Sequence, residues 1–200
     1  MTFQSRVARR VAAIATLLTV CGAVAAADEA GNSPAARAAT LTFAGTEYVH
    51  RWSKDGQSEF TPPRDNDLAR WQDMVTINVH ESVRNGDQLA DLANRVLDNY
   101  QKHGKIVRTD SKPRTAQHPA QHLIVAVLGN PNFVEAAFAR LVLVDGTGAV
   151  AVYSHRVYGK EAGGAMSEWL KANGPAVENS LMSWEKVPSP AALRQLPQSK

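Results

Sequence analysis

Apolar residues recur along the chain with different periods, and each period predicts a different element. EYVHRWSKDGQSEF (residues 47–60) alternates on either side of Asp55-Gly56, and Asp-Gly between alternating segments is a strong hairpin signal. It predicts a strand Glu47–Ser53, a turn Lys54–Gln57 and a short return to Phe60. RDNDLARWQDM, which follows, reads as a connecting turn of helix. In VTINVHE, Val75, Ile77 and Val79 alternate with Thr76, Asn78 and His80, which predicts a half-buried strand with His80 turned to water.

The period then changes. Leu89, Leu92, Ala93, Val96, Leu97 and Tyr100 fall at steps of three and four and make one apolar stripe, with Asp87 as N-cap and Gly104 as the stop. Four strand-like runs come next: KIVRT, QHLIVAVLG, FVEAAFARLVLVDG and GAVAVYSHRVYG, the last three separated by turns at Asn130–Asn132 and Asp145–Gly148. These middle runs are apolar on both faces, so both faces of the sheet need a cover. The first helix supplies one. GGAMSEWLKANGPAVENSLMSWEK supplies the other, read as two short helices broken at Gly174-Pro175 with Met166, Trp169, Leu170, Val177, Leu181 and Trp184 turned inward.

The fold class is therefore α+β: an antiparallel sheet of about six strands covered by helices on both faces, an α/β/α sandwich. The order of hairpin, strand, helix, antiparallel meander and closing helix resembles the PsbP/Mog1-like group of α/β/α sandwiches over about Glu47 to Lys186. That resemblance carries no catalytic residues across, and it implies a binding or accessory protein more readily than an enzyme. A cone-shaped fold like nuclear transport factor 2 is the alternative, but it opens with long helices that have no counterpart here.

The ends change the picture of charge and place. Arg6, Arg9 and Arg10, an apolar stretch from Val11 to Val20 and Ala25-Ala26-Ala27 before Asp28 make the three regions of an export signal. The apolar stretch falls short of the roughly 20 residues that a membrane span needs. Cys21 is the only cysteine; Val20 before it does not suit a lipidation site, which takes Gly, Ala or Ser there. Cleavage after Ala27 would leave a periplasmic chain without cysteine, which removes disulfides and thiol chemistry together. The 22 basic and 19 acidic residues give a net charge of +3, but the signal holds three of the arginines and no acid. The mature chain is thus 19 against 19, which lacks the basic footprint of a nucleic-acid binder. Residues 28–44 read as a flexible leader, 45–187 as one α+β domain and 188–200, with three prolines, as an irregular tail.

One pattern points to a site. Tyr48-Val-His50-Arg51 and Tyr153-Ser-His155-Arg156 share the form Tyr-x-His-Arg, a hundred residues apart. On a strand, alternate residues share a face, so Tyr48, His50 and Trp52 would face one way, and Tyr153 and His155 likewise. If the two strands lie close, the four side chains form one polar patch able to hydrogen-bond a small ligand or bind a metal, and Tyr48, His50, Trp52, Tyr153, His155 and Asp73 are the candidate ligand-binding residues. The plainer reading is that aromatic and long amphipathic side chains simply suit strand positions. Asp65, Asp67 and Asp73 cluster around Trp71 and fit a solvated turn as well as a site. His118 and His122 have the spacing of ligands on a helix, but Pro119 places them in a loop and no acid lies between them, so neither a metal nor another cofactor is implied. Ser154, Ser167 and Ser180 stand in no nucleophile-elbow context.

These observations favour a non-catalytic periplasmic protein, monomeric or weakly dimeric, that binds a small ligand, an envelope component or a protein partner. A small exported hydrolase with its site near the Tyr/His strands, and an immunity or inhibitor protein against an envelope-directed enzyme, are the alternatives.

Overall fold

The computed structural model describes residues 39–116 and 118–199; the signal segment 1–27 and most of the 28–44 leader lie outside them. The described chain runs β1 (Thr40–Phe43), β2 (Thr46–Lys54), β3 (Gln57–Thr61), β4 (Asp73–His80), α1 (Gly86–His103), β5 (Gly104–Lys112), β6 (Gln121–Gly129), β7 (Phe133–Val144), β8 (Thr147–Tyr158), α2 (Ala162–Met182) and α3 (Pro190–Arg194). The class is α+β, with one antiparallel eight-stranded sheet in the order β1-β2-β3-β4-β8-β7-β6-β5. Two four-stranded meanders are joined along β4 and β8, and α1 carries the chain from β4 to the far edge.

Three tight turns set the hairpin registers. Ala44-Gly45, Asp55-Gly56 and Asp145-Gly146 each place two consecutive residues at positive φ. That geometry matches the right-handed twist of the flanking strands and is why Gly recurs at the second position.

Each face has its own core. On one, Leu89, Leu92 and Ala93 of α1 pack on Ile124, Ala137, Ala139, Leu141, Val150 and Val152. On the other, Met166 and Leu181 of α2, with Trp184, pack on Phe60, Val75, Ile77, Phe138 and Tyr153. We call these the α1 face and the α2 face. The expected stripe and both covers are present.

Several expectations are corrected. β1 lies inside the stretch read as a leader, because Leu41 and Phe43 are buried in the α2-face core. With β3 a full ladder member, the sheet has eight strands where about six were expected. The tail is packed too: Leu193 and Leu196 join the same core, Ser189 Oγ caps α3, and the Ser199 amide donates to the Ser53 carbonyl at 2.7 Å. α2 is one helix through Pro175 where two were expected, since Met166, Trp169, Leu170, Val177 and Leu181 all reach the same core. Asn85 rather than Asp87 caps α1, accepting from the Gln88 amide at 2.9 Å. Residues 62–72 form turns and no helix. Gly104 does end α1, and a Cβ there would collide with the Val127 carbonyl of β6.

Candidate functional site

The register decides the fate of the Tyr-x-His-Arg pair. Cross-strand partners share a face, and His50 pairs with Phe60, Phe60 with Val75, and Val75 with Tyr153. His50 and Tyr153 are therefore on the same face, but β3 and β4 lie between their strands. The histidines do not meet. His50 instead hydrogen-bonds Ser53 Oγ at 2.8 Å and packs edge-on against Phe60.

Trp52 leaves the group for a different reason. The β2–β3 register shifts between His50 and Trp52, so strict alternation is broken there. Trp52 pairs with Glu59, Glu59 with Thr76, and Thr76 with Val152, which belongs to the α1 face. Trp52 thus faces away from Tyr48 and His50, a correction to the expected alignment.

The remaining residues do converge. Asp73 pairs directly with His155 across β4 and β8. Its Oδ1 accepts from the Tyr153 hydroxyl at 2.8 Å and lies 2.9 Å from His155 Nδ1, while Oδ2 accepts from Arg64 at 2.5 Å. Burial pushes the Asp73 carboxyl up, but the bonds from His155 and Tyr153 and the charges of His155 and Arg64 outweigh it and hold it below the usual range. Burial, helped by the Asp73 charge, pushes both the Tyr48 and Tyr153 hydroxyls well up, so both stay protonated. Tyr48 joins this cluster electrostatically, through Asp73, Arg64 and Asp65. Asp65 helps to seat it, its Oδ2 accepting from the Asp73 amide at 3.1 Å.

Trp169 of α2 closes the cluster. Its ring stacks on His155 at 3.9 Å with an interplanar angle of 5°, and lies beside Tyr153 and Phe138. His155 is only 4% exposed. The sequence reading put Trp169 in the core by its helical stripe and missed its place over a histidine, since nothing in the sequence pairs residue 155 with residue 169.

The two arginines of the pattern act on one loop. Arg51 donates to Thr61 Oγ1 at 2.8 Å and to the Pro62 carbonyl at 3.2 Å. At the other end, the Arg156 amide donates to the Gln72 carbonyl at 2.8 Å and its guanidinium lies 3.8 Å from the Trp71 ring. The echoed segments thus hold the two ends of residues 62–72, the connection that leads into Asp73.

Other expected features lie apart. His80 is half-buried rather than turned to water, and burial, with the Arg95 charge, lowers its pKa. Burial also lowers those of His50 and His122. His118 is exposed in the loop before β6 and His122 lies on β6, so they share no helix turn. Among the described residues, no three His, Cys, Asp or Glu side chains converge as metal ligands do.

The depressed histidines set a pH dependence. A neutral imidazole is favoured in the folded chain, so its stabilising contribution is present above the ordinary value of 6.5 and lost as pH falls through the lower folded value. Asp73 acts in the same sense below its ordinary 3.8. Denaturant midpoints should therefore fall steadily from pH 7.5 to pH 4.5, and His80→Gln should flatten the upper part of that fall. A midpoint that rises on acidification would contradict the burial of these rings.

No protein-family model matches the chain, and no curated protein does. Among solved structures, it is similar in fold to the Ran-binding protein Mog1p of Saccharomyces cerevisiae, with a TM-score of 0.45 and 15% identity, over 68% of this chain and 81% of that one.

Proposed function

We propose that the chain is an exported periplasmic protein, monomeric or weakly dimeric, that binds a small ligand, an envelope component or a protein partner and catalyses no reaction. Its export rests on the charged, apolar and small-residue order of residues 1–27. The observation that carries the non-catalytic part is the closure of the Asp73 cluster. Both carboxylate oxygens are engaged by the protein's own Tyr153, His155 and Arg64, and one face of the His155 ring is covered by Trp169. A general base needs a reachable substrate proton.

One observation favours the hydrolase alternative. An Asp73–His155 bond of 2.9 Å is the base-and-orienter half of a nucleophilic relay. The other half is missing: among the described residues, no hydroxyl nucleophile hydrogen-bonds His155.

One experiment addresses both parts. The protein is recovered from a periplasmic extract, its N-terminus is sequenced, and the same material is assayed on chromogenic ester, phosphate and glycoside substrates beside Asp73→Asn. The expected result is a start at or near Asp28 and no turnover above that of the variant. Intact Met1 in the cytoplasm would end the export reading, and turnover abolished by Asp73→Asn would end the non-catalytic one.

A further inference from the structure

The 62–72 connection and the end of β8 enclose an open groove of about 300 Å³ lined by Asp65, Arg70, Trp71, Gln72, Arg156 and Tyr158, with Val157 beside them. We propose that this groove binds a small monocarboxylate with a flat apolar body. The proposal rests on the reading of the chain as a binding protein and gives that reading a ligand class.

The argument begins with Arg156. Its guanidinium carbon lies 3.8 Å from the Trp71 ring on one side and 4.0 Å from the Phe133 ring on the other, and its Nε donates to Glu135 at 2.8 Å. Both faces and the inner nitrogen are thereby taken. Among the described residues, no hydrogen bond reaches the two terminal nitrogens, which form the planar edge that matches a carboxylate bidentately. Because the rings already hold the side chain, little rotamer freedom is left to lose on binding.

The rest of the groove sets the charge and shape of the ligand. Arg156 is balanced by Glu135, and Asp65 lies 3.9 Å from Arg64. Arg70 is exposed, with its guanidinium 5.6 Å from the Tyr158 ring, and it is the groove cation without an ion pair among the described residues. Arg64 is already held by Asp73 at 2.5 Å, so Asp65 offsets Arg70 and the groove is close to neutral, with the Asp65 carboxylate in the wall opposing a dianion. A planar carboxylate, matched edge to edge by the Arg156 fork, is therefore favoured over a phosphate dianion. Tyr158 and Val157 give the wall its apolar surface, with the edge of the 4%-exposed Trp71 beside them, and the wall is fixed, since the Tyr158 hydroxyl donates to the Trp71 carbonyl at 2.7 Å and the Arg156 amide to that of Gln72 at 2.8 Å. The volume lies at the small end for ligand sites, which suits one ring and its carboxylate.

The test is a titration of the isolated full chain with benzoate, acetate and inorganic phosphate, followed by calorimetry and by the NMR signal of the Trp71 indole, assigned through Trp71→Phe. Benzoate should shift that signal saturably and bind about tenfold more tightly than acetate or phosphate. Arg70→Ala, which changes an exposed side chain, should weaken benzoate about fivefold with the melting temperature unchanged. Arg156→Lys keeps the charge but loses the fork and should abolish saturation. A flat benzoate titration, phosphate binding as tightly as benzoate, or unchanged affinity in Arg70→Ala would each overturn the proposal. None of these outcomes touches the location or the absence of turnover, so the groove and the broader reading fail separately.

Discussion

Asp73→Ala should lower the stability of the chain by about 2–5 kcal/mol in denaturant unfolding at pH 7. The effect comes from what the substitution leaves behind. The Tyr153 hydroxyl and the His155 ring lose their shared acceptor while both residues stay buried, at 7% and 4% exposure. Each stranded donor costs about 1–3 kcal/mol. Arg64 adds little, because its side chain is 60% exposed and water replaces the lost partner. Asp73→Asn separates shape from charge: its amide oxygen can still accept one bond, so it should lose roughly half as much. A loss below about 1 kcal/mol for Asp73→Ala would mean that water reaches Tyr153 and His155, and the closed cluster would then be an open site.

Much of this cluster was legible in the sequence, and the parts that were not have physical reasons. Period-2 alternation put Tyr153 and His155 on one face, because β4 and β8 are regular over their whole pairing, whereas Asp73 stood out only as one of three acids around Trp71. The same rule failed at Trp52, since a bulge adds a residue to one strand and leaves no mark in the hydrophobic pattern. Strand order was hidden for a related reason. Alternation says which way a side chain points but not which strands are neighbours, so the separation of His50 from His155 by β3 and β4 could only come from the assembled sheet.

The covers were legible because helical stripes depend on local spacing. What the stripes could not show is the competition between a local break and a shared core. Gly174-Pro175 is a helix stop by composition, yet Met166 and Leu181, on either side of it, are each 1% exposed. Prolonging one helix keeps both in the α2-face core, and that burial outweighs the intrinsic cost of an interior proline, about 3 kcal/mol. Leu41 and Leu193 make the same point at the two ends: short segments of weak periodicity are ordered by a core they help to close.

Arg140 was the signal passed over. It interrupts the apolar run of β7, where alternation puts it on the α2 face among Ala136 and Phe138, and it is 6% exposed. Its Nη1 donates to the carbonyls of Leu181 at 2.9 Å and Trp184 at 2.7 Å, and its Nε to Gln121 at 3.0 Å. The last carbonyls of a helix have no partner within it and carry partial negative charge, so a guanidinium at the end of α2 satisfies both needs. Burial lowers its pKa but leaves it a cation at any ordinary pH. Arg140→Met, which keeps the stem and removes the donors, should cost about 1–3 kcal/mol, because the Trp184 carbonyl is stranded while that of Leu181 keeps the Trp184 amide at 3.3 Å. Arg140→Lys should recover part of that loss, since an ammonium supplies the charge without the fork that spans three acceptors. Amide exchange gives the second readout: protection should fall in the last turn of α2 and stay unchanged in α1 on the opposite face. Removing a buried charge can also relieve desolvation. If Arg140→Met is neutral or stabilising, that relief exceeds the two bonds, and the end of α2 is held by Leu181 and Trp184 packing alone.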